Sequence, residues 1–352
     1  MTNYIVRRFI YMFVVLIAIS AITFLLMHAV PGGPFDNEKK LPPEIKANLE
    51  KRYHLDDPLA VQYFSYLKEV FIPRVIDHVP TGSLEDDYLI TVKVGSGNWF
   101  QWMNFGPSFS SKSRTVNDIF REQLPVSFQL GMMALLIAIT IGIPLGLVSA
   151  LNHNSWVDYA GMGIAILGVS LPTIVLAPLL IGAFGVNLKW LPPTGWGAKP
   201  PFVFGFFPSN FGWDYFKFAI LPSMVLGFGS SAVIARLTRA SLLQVVQEDY
   251  IRTARAKGLP YRLVIFKHAL RNSLIPVATI LGPMFAALVR GTFVTELVFS
   301  IPGLGRYFVT SITNRDYPVI MGTILLYAVF LVVSNLFVDI LYAYLDPRIR
   351  YD

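Results

Sequence analysis

Asp249-Tyr-Ile-Arg-Thr-Ala-Arg-Ala-Lys-Gly-Leu-Pro260 lies between two hydrophobic stretches, Phe216–Arg236 and Ser273–Thr295, and its reading decides how the rest of the chain is taken. It is basic and helix-forming, and it ends sharply. Gly258 suits the left-handed turn that closes a helix, and Pro260 prevents its resumption. A loop between membrane spans needs only to be polar, so a short capped helix there points to a docking element. The pattern allows one helix over Ser241–Lys257, with Glu248 and Asp249 ahead of Arg252, Arg255 and Lys257, some of them at i, i+3 or i, i+4 spacing. Thr253 and Ala254 are small and Gly258 follows, so a partner can approach the backbone closely. A merely solvated charged face is the blander alternative.

The flanking stretches are two of about six. Of the 352 residues, 54% are hydrophobic and only 14% charged, with a mean hydropathy of +0.54. Soluble domains carry about 25% charged residues, so this is membrane composition. Stretches of ~20 apolar residues occur at roughly Arg8–Val30, Ser127–Leu151, Val157–Phe184, Phe216–Arg236, Ser273–Thr295 and Pro318–Tyr342. The expected fold class is therefore an all-α membrane protein with about six transmembrane helices. The first stretch is too long, and lacks the small-residue cleavage site, for a removed signal peptide, and reads as a retained anchor.

The formal charge of +7 is mostly topology. Arg7 and Arg8 precede the first span. Arg236, Arg239, Arg252, Arg255, Lys257, Arg262, Lys267 and Arg271 lie between spans four and five, and Arg348 and Arg350 follow the last. With a cytoplasmic N-terminus and alternating spans, all fall on the cytoplasmic side, as the positive-inside rule asks. Nucleic-acid binding is a poor reading of that charge. The absence of cysteine excludes disulfides, thiolate metal sites and a cysteine nucleophile.

Between spans one and two, residues 31–121 form a polar outer region. Leu41 to Val70 reads as amphipathic helix, with Tyr53, Leu55, Leu59, Tyr63 and Tyr66 at rough helical spacing. Thr81 to Gly97 holds the β-favouring run Tyr88–Val94, which suggests a hairpin arm. Trp99–Phe105 is aromatic enough for a membrane interface. A second outer loop, Gly185–Asp214, is rich in Pro, Gly, Trp and Phe. The spans carry Pro144, Pro172, Pro178, Pro222, Pro276 and Pro283, and Gly142-x-x-x-Gly146 invites close helix packing.

Catalysis finds no support in the residues. No phosphate-binding loop of the form G-x-x-x-x-G-K-[ST] occurs, so ATP hydrolysis by this chain is not expected. Gly227-Phe-Gly229-Ser-Ser-Ala232 superficially matches a dinucleotide fingerprint but sits within a span, where small-residue packing is the better reading. The histidines His28, His54, His78, His153 and His268 are scattered without metal-ligand spacing. Ionisable residues within spans are Arg290 and Glu296 near the outer end of span five and Asp339 near the inner end of span six.

Thr253-Ala254-x-x-x-Gly258 resembles the second half of the "EAA" signature of binding-protein-dependent ABC importer membrane subunits. The resemblance extends to His268–Asn272, Pro276, Thr295-Glu296, Pro302–Gly305, Arg315–Pro318 and Asp346–Arg350, which look like the peptide/dipeptide/nickel branch. His28–Phe35, Leu41–Glu44, Tyr53–Leu55 and Gln62–Leu67 look like the B-type permease subunit of oligopeptide importers. Arg252 stands where the signature's glutamate is expected, Thr253 where its first alanine is, and Arg271 in place of its usual proline.

The resemblance implies a type I importer core at residues 122–345, with a cytoplasmic coupling loop at 237–272. Residues 1–30 would be the tail and first helix, residues 31–121 the outer face with an insertion near 71–104, and residues 346–352 a cytoplasmic tail. It implies Asp249, Tyr250, Arg252, Thr253, Ala254, Arg255, Lys257, Gly258, Leu259 and Pro260 as the ATPase-coupling segment. Implied partners are a second homologous permease, two ATP-binding subunits that use ATP and Mg, an extracytoplasmic peptide-binding protein and the lipid bilayer. No cofactor is expected on this chain, and the location would be the bacterial inner membrane with both termini cytoplasmic. Glu296 would then line a route for peptide amino groups, unless it pairs with Arg290 or lies at headgroup level, the favoured alternative. A sibling importer of dipeptides or nickel chelates is the alternative within transport, and a membrane scaffold the alternative outside it.

Overall fold

The computed structural model describes residues 2–36, 42–78, 83–84, 86–95, 97–111 and 113–345. Leu41, part of the Thr81–Gly97 arm, and the terminal motif Asp346–Arg350 with its tail lie outside the described residues. The helices are α1 (Thr2–Ala29), α2 (Pro43–Arg52), α3 (Leu59–Phe71), α4 (Val116–Leu151), α5 (Trp156–Ser170), α6 (Thr173–Leu180) and α7 (Trp213–Val245). They continue with α8 (Asp249–Ala256), α9 (Tyr261–Leu263), α10 (Leu270–Ser273), α11 (Ile275–Arg290), α12 (Phe293–Val298), α13 (Leu304–Asn314) and α14 (Tyr317–Leu345). Strands β1 (Arg74–Ile76), β2 (Ile90–Val94) and β3 (Asn98–Trp102) lie between α3 and α4, and π-helical turns occupy Ile181–Asn187 and Val264–Ala269.

Among the described residues, five helices are long and apolar enough to cross a membrane, or up to six if the bent pair formed by α5 with Thr173–Asn187 counts as one span. That pair corrects the expectation of a continuous third span over Val157–Phe184, because its halves meet at 108°. The cause is local. Leu171 precedes a proline and is pushed to an extended conformation (φ −82°, ψ 115°), and Pro172 starts the next helix as its N-cap.

The chain forms two compact units. One comprises residues 126–303 with the ends 2–8 and 330–345. In it α4 and α7 cross where side chains are absent. A Cβ at Gly142 would lie 2.6 Å from the Ser231 carbonyl, and one at Gly227 would lie 2.6 Å from the Ala134 carbonyl. Gly227 is thus a packing glycine, as read from its place in a span. A buried cluster including Val126, Leu130, Leu176, Leu221 and Phe299 takes in Trp196 from the second outer loop. That loop is anchored by the Gly195 amide to the Phe299 carbonyl at 2.6 Å and by Trp196 Nε1 to Gln129 Oε1 at 3.3 Å.

The other unit comprises residues 9–125 and 304–329. The amphipathic helix expected from Leu41 to Val70 is two helices, α2 and α3. Leu55 and Gln62 hydrogen bonds close the turn between them, His54 has a positive φ of 54°, and Pro58 caps α3. The hairpin forms as β2 and β3, and β1 adds on the far side, giving an antiparallel sheet ordered β1-β3-β2. Asn117 Nδ2 fastens the start of α4 beneath it through the carbonyls of Asp87 (2.6 Å) and Met103 (3.1 Å). Asp316 accepts hydrogen bonds from Ser108 Oγ (2.5 Å) and the amides of Phe109 and Ser110 (both 3.1 Å), which gives the Arg315–Pro318 motif a structural role.

Candidate functional site

The chain does not run as one helix from Ser241 to Lys257. α7 stops at Val245, the backbone turns, and α8 starts afresh with Glu248 extended at its N-cap (φ −65°, ψ 149°). The break gives α8 its own direction and lets its inner side face the end of α7. Ile251 is fully buried and Ala254 nearly so (0% and 8% exposed), in a cluster with Leu242, Val264, Ile265 and Ala269. The two lie three residues apart and so share one face of the helix. Ala254, expected to open the backbone to a partner, instead faces the chain's own core, and half-buried Leu259 packs against the same cluster.

The C-terminus forms a Schellman motif. The Gly258 amide donates to the Arg255 carbonyl at 2.9 Å, and the Leu259 amide reaches back to Ala254 at 3.4 Å. Gly258 takes φ +75°, the conformation an L side chain resists. Pro260 then caps α9. Asp249, Tyr250, Arg252, Thr253, Arg255, Lys257, Gly258 and Pro260 are all exposed. Thr253 bonds back to the Asp249 carbonyl (2.9 Å), and Asn272 Nδ2 donates to the Tyr250 hydroxyl (2.8 Å). The Asp249–Arg252 pair, at 3.5 Å and fully solvated, contributes little. The outcome is a short helix seated by two apolar side chains, with a basic outer face closed by a backbone with no side chain.

The sequence reading passed over Tyr261, Leu263 and Phe266, which follow α8 and are exposed. Three large apolar residues within six positions of a basic loop would have flagged them. It also passed over an ion pair at the base of α5. Arg239 Nε and Nη2 each bond an Asp158 carboxylate oxygen at 2.6 Å, and Asp158 is buried. Asp158 Oδ2 also takes the Asn154 amide at 3.0 Å, and Ser155 Oγ, at the N-cap, accepts the Asp158 amide, and the two bonds fix the start of α5.

The two residues of span five are not brought together. Glu296 is buried (1% exposed) and accepts a hydrogen bond from Ser127 Oγ at 2.6 Å, with Gly303 so close that any Cβ there would collide with the carboxylate. Arg290, at the end of α11, is exposed, and no ion pair joins it to Glu296 among the described residues. Asp339 pairs with Arg8 at 2.6 Å.

Residues 142–351 match the family model of the binding-protein-dependent transport system inner membrane component, and residues 1–131 match that of its N-terminal part. The chain belongs to this family of importer membrane components. The dipeptide transport system permease protein DppB of Bacillus subtilis is 42% identical to it, over 99% of this chain and 98% of that one. The oligopeptide transport system permease protein OppB of Salmonella typhimurium is 39% identical over the full length of both. A chain of the MetNI methionine ABC transporter in an inward-facing conformation aligns with a TM-score of 0.49 at 18% identity, over 64% of this chain and 94% of that one. As a member of the family the protein is a non-catalytic, multi-pass inner-membrane permease component of an ABC importer, mostly helical, and ATPase activity lies on separate subunits.

Proposed function

We propose that this chain is the B-type permease subunit of an ATP-driven oligopeptide importer, forming half of the translocation pathway and engaging an ATPase through α8. The observation that carries the reading is the form of α8. Its inner face is fixed to the chain's own core, so a force on its outer face passes into α7 and the helices beyond the Val264–Ala269 turn. A lever needs that rigidity on one side and an accessible, closely approachable surface on the other. Arg252, Arg255, Lys257 and Gly258 supply the surface, with Tyr261 and Phe266 as neighbouring apolar contacts. Ala254 and Leu259 seat the helix rather than meet the partner.

In this reading two ATP-binding subunits bind ATP and Mg, a second homologous permease completes the pathway, and a soluble peptide-binding protein delivers cargo. Both termini and α8 lie on the cytoplasmic side. Glu296 is taken up by the Ser127 hydroxyl and packed close against Gly303, which leaves exposed Arg290 as the better candidate for contact with passing substrate. The B. subtilis relative's name favours a second reading, a dipeptide importer; uptake competition with peptides of graded length separates the two.

The test is gentle purification of the tagged chain from its native membrane, with mass spectrometry of what accompanies it. A second permease and P-loop ATPases are expected, the ATPases being lost from Gly258→Arg. Recovery of the chain alone, in a detergent that preserves a known ABC complex, would overturn the reading.

A further inference from the structure

We propose that the Asp158–Arg239 ion pair is the joint that makes α5, and with it the bent pair of α5 and Thr173–Asn187, follow α8, so that both residues are positioning residues for coupled transport. The inference rests on α8 engaging an ATPase.

The pair stands next to the seat of α8. Arg239 precedes Leu242 by one turn of α7, a rise of about 4.5 Å, and Leu242 belongs to the cluster that holds Ile251 and Ala254. The same cluster takes in Ala150 from the end of α4. From there the chain turns into α5 through Asn154, at φ +60°. The carboxylate that receives the Asn154 amide is the one that Arg239 grips through two bonds of 2.6 Å. Asp158 therefore ties the start of α5 to α7 at the level where α7 meets α8.

Along the rest of α5 the contact is smooth. Its buried residues are Asp158, Gly161, Ala165 and Gly168, spaced so as to share one face. Only the first has a side chain that can bond. A Cβ at Gly161 would lie 2.6 Å from Ser149 Oγ of α4, and one at Gly168 would lie 3.1 Å from the Phe228 carbonyl of α7. Gly229 of α7 comes as near in return, with a Cβ there 3.2 Å from the Gly168 carbonyl. Ile164, Ile166, Leu167 and Val169 lie off this stripe and are exposed. With no large buried side chain to interlock, α5 can slide or turn along α7, the small displacement that packed helices use in shear. Beyond Ser170 the chain bends by 108°, so a shift of α5 carries the Thr173–Asn187 half with it.

The chemistry of the tie points to positioning rather than to stability. Asp158 is 1% exposed. At that depth apolar residues of similar volume would stabilise the fold as well or better. A bidentate carboxylate–guanidinium pair instead fixes both register and angle between two helices, which a glycine contact leaves free. Motion of α8 therefore reaches α5 through Arg239 and Asp158.

The chain has no cysteine, so Asp158→Cys/Arg239→Cys gives one bridgeable pair in an importer assembled with cysteine-free partner subunits. Removing both charges leaves no unpaired guanidinium, so the double variant is expected to assemble. Uptake and ATP hydrolysis are measured on the same proteoliposomes. The reduced variant should keep its ATPases and hydrolyse ATP, while peptide uptake per ATP falls on the order of ten-fold. Bridging the cysteines with bifunctional methanethiosulfonates of graded length should recover most of the lost coupling at the length that spans the pair. A monofunctional methanethiosulfonate should recover none. Unchanged coupling in the reduced variant would overturn the proposal. So would uptake and hydrolysis falling together with neither restored by bridging, the behaviour of a pair that only holds the fold. Asp158→Asn, which keeps acceptors for Arg239 and the Asn154 amide, decides the matter if the double variant does not assemble: lost uptake with normal hydrolysis supports the joint, and parental uptake per ATP refutes it. Absence of ATPases from the parental complex would instead break the reading of α8.

Discussion

Replacing Gly258 separates two effects that a single substitution confounds. Its φ of +75° lies where an L residue loses roughly 1–2 kcal/mol, and a Cβ built there meets nothing within 4 Å of this chain. The backbone term is therefore nearly the same for alanine and arginine, and neither collides with the permease. Asparagine tolerates the left-handed region better, so it leaves the Schellman turn closest to its native form. About 1–2 kcal/mol frays the end of α8, but Ile251 and Ala254 keep it seated. Gly258→Asn should transport at near the parental rate and Gly258→Ala a few-fold more slowly. Gly258→Arg should reach the membrane in normal amount yet fail to couple ATP hydrolysis to uptake, because only its side chain extends into the space the proposed ATPase partner would occupy. The assay is uptake into proteoliposomes, with ATPase rate measured on the same preparations and membrane content by immunoblot. If the arginine and alanine variants transport equally, the loss is backbone strain alone and close approach at Gly258 is refuted.

Breaking the bidentate Asp158–Arg239 pair by Asp158→Ala should cost about 3–5 kcal/mol, since it leaves a guanidinium without its partner at a partly buried site. Thermal unfolding of the purified protein checks this, and a change under about 1 kcal/mol would show that the pair is solvated. In the outer region, the Lys46 ammonium at 2.6 Å and the Gly33 amide hold the Asp36 carboxyl below the usual carboxylate range. A carboxyl lowered in the fold stabilises fully above its unfolded value of 3.8, and that contribution is lost as pH falls through the folded value. Hydrogen exchange at the Gly33 amide, corrected for intrinsic rate, should stay protected down to about pH 4 and open below it. Opening already at pH 6 would count against the tie.

What could be read from the residues was what a short window fixes. Five of the proposed spans are single or nearly continuous helices, because twenty apolar residues in a row have no other way to satisfy their backbone in lipid. The stop at Gly258 and Pro260 was legible because capping is chemistry between residues a turn apart. Gly142-x-x-x-Gly146 was legible as a packing site, but its partner was not, since nothing in the sequence pairs those glycines with Ser231 and Ala235 of α7.

The sequence by itself determined that this protein spans a membrane, that a short basic helix interrupts the spans, and where that helix stops, at Gly258 and Pro260. Only the tertiary structure decided which side of that helix is free. Ile251 and Ala254 face inward because Leu242 and Val264 form a seat for them, after a break at Val245 that no local propensity demanded. It likewise joined Asp158 to Arg239 across 81 positions and laid α3 along α1. A periodic pattern says that a helix has an apolar face. What that face meets depends on contacts between residues far apart in the chain, which exist only once the whole is folded.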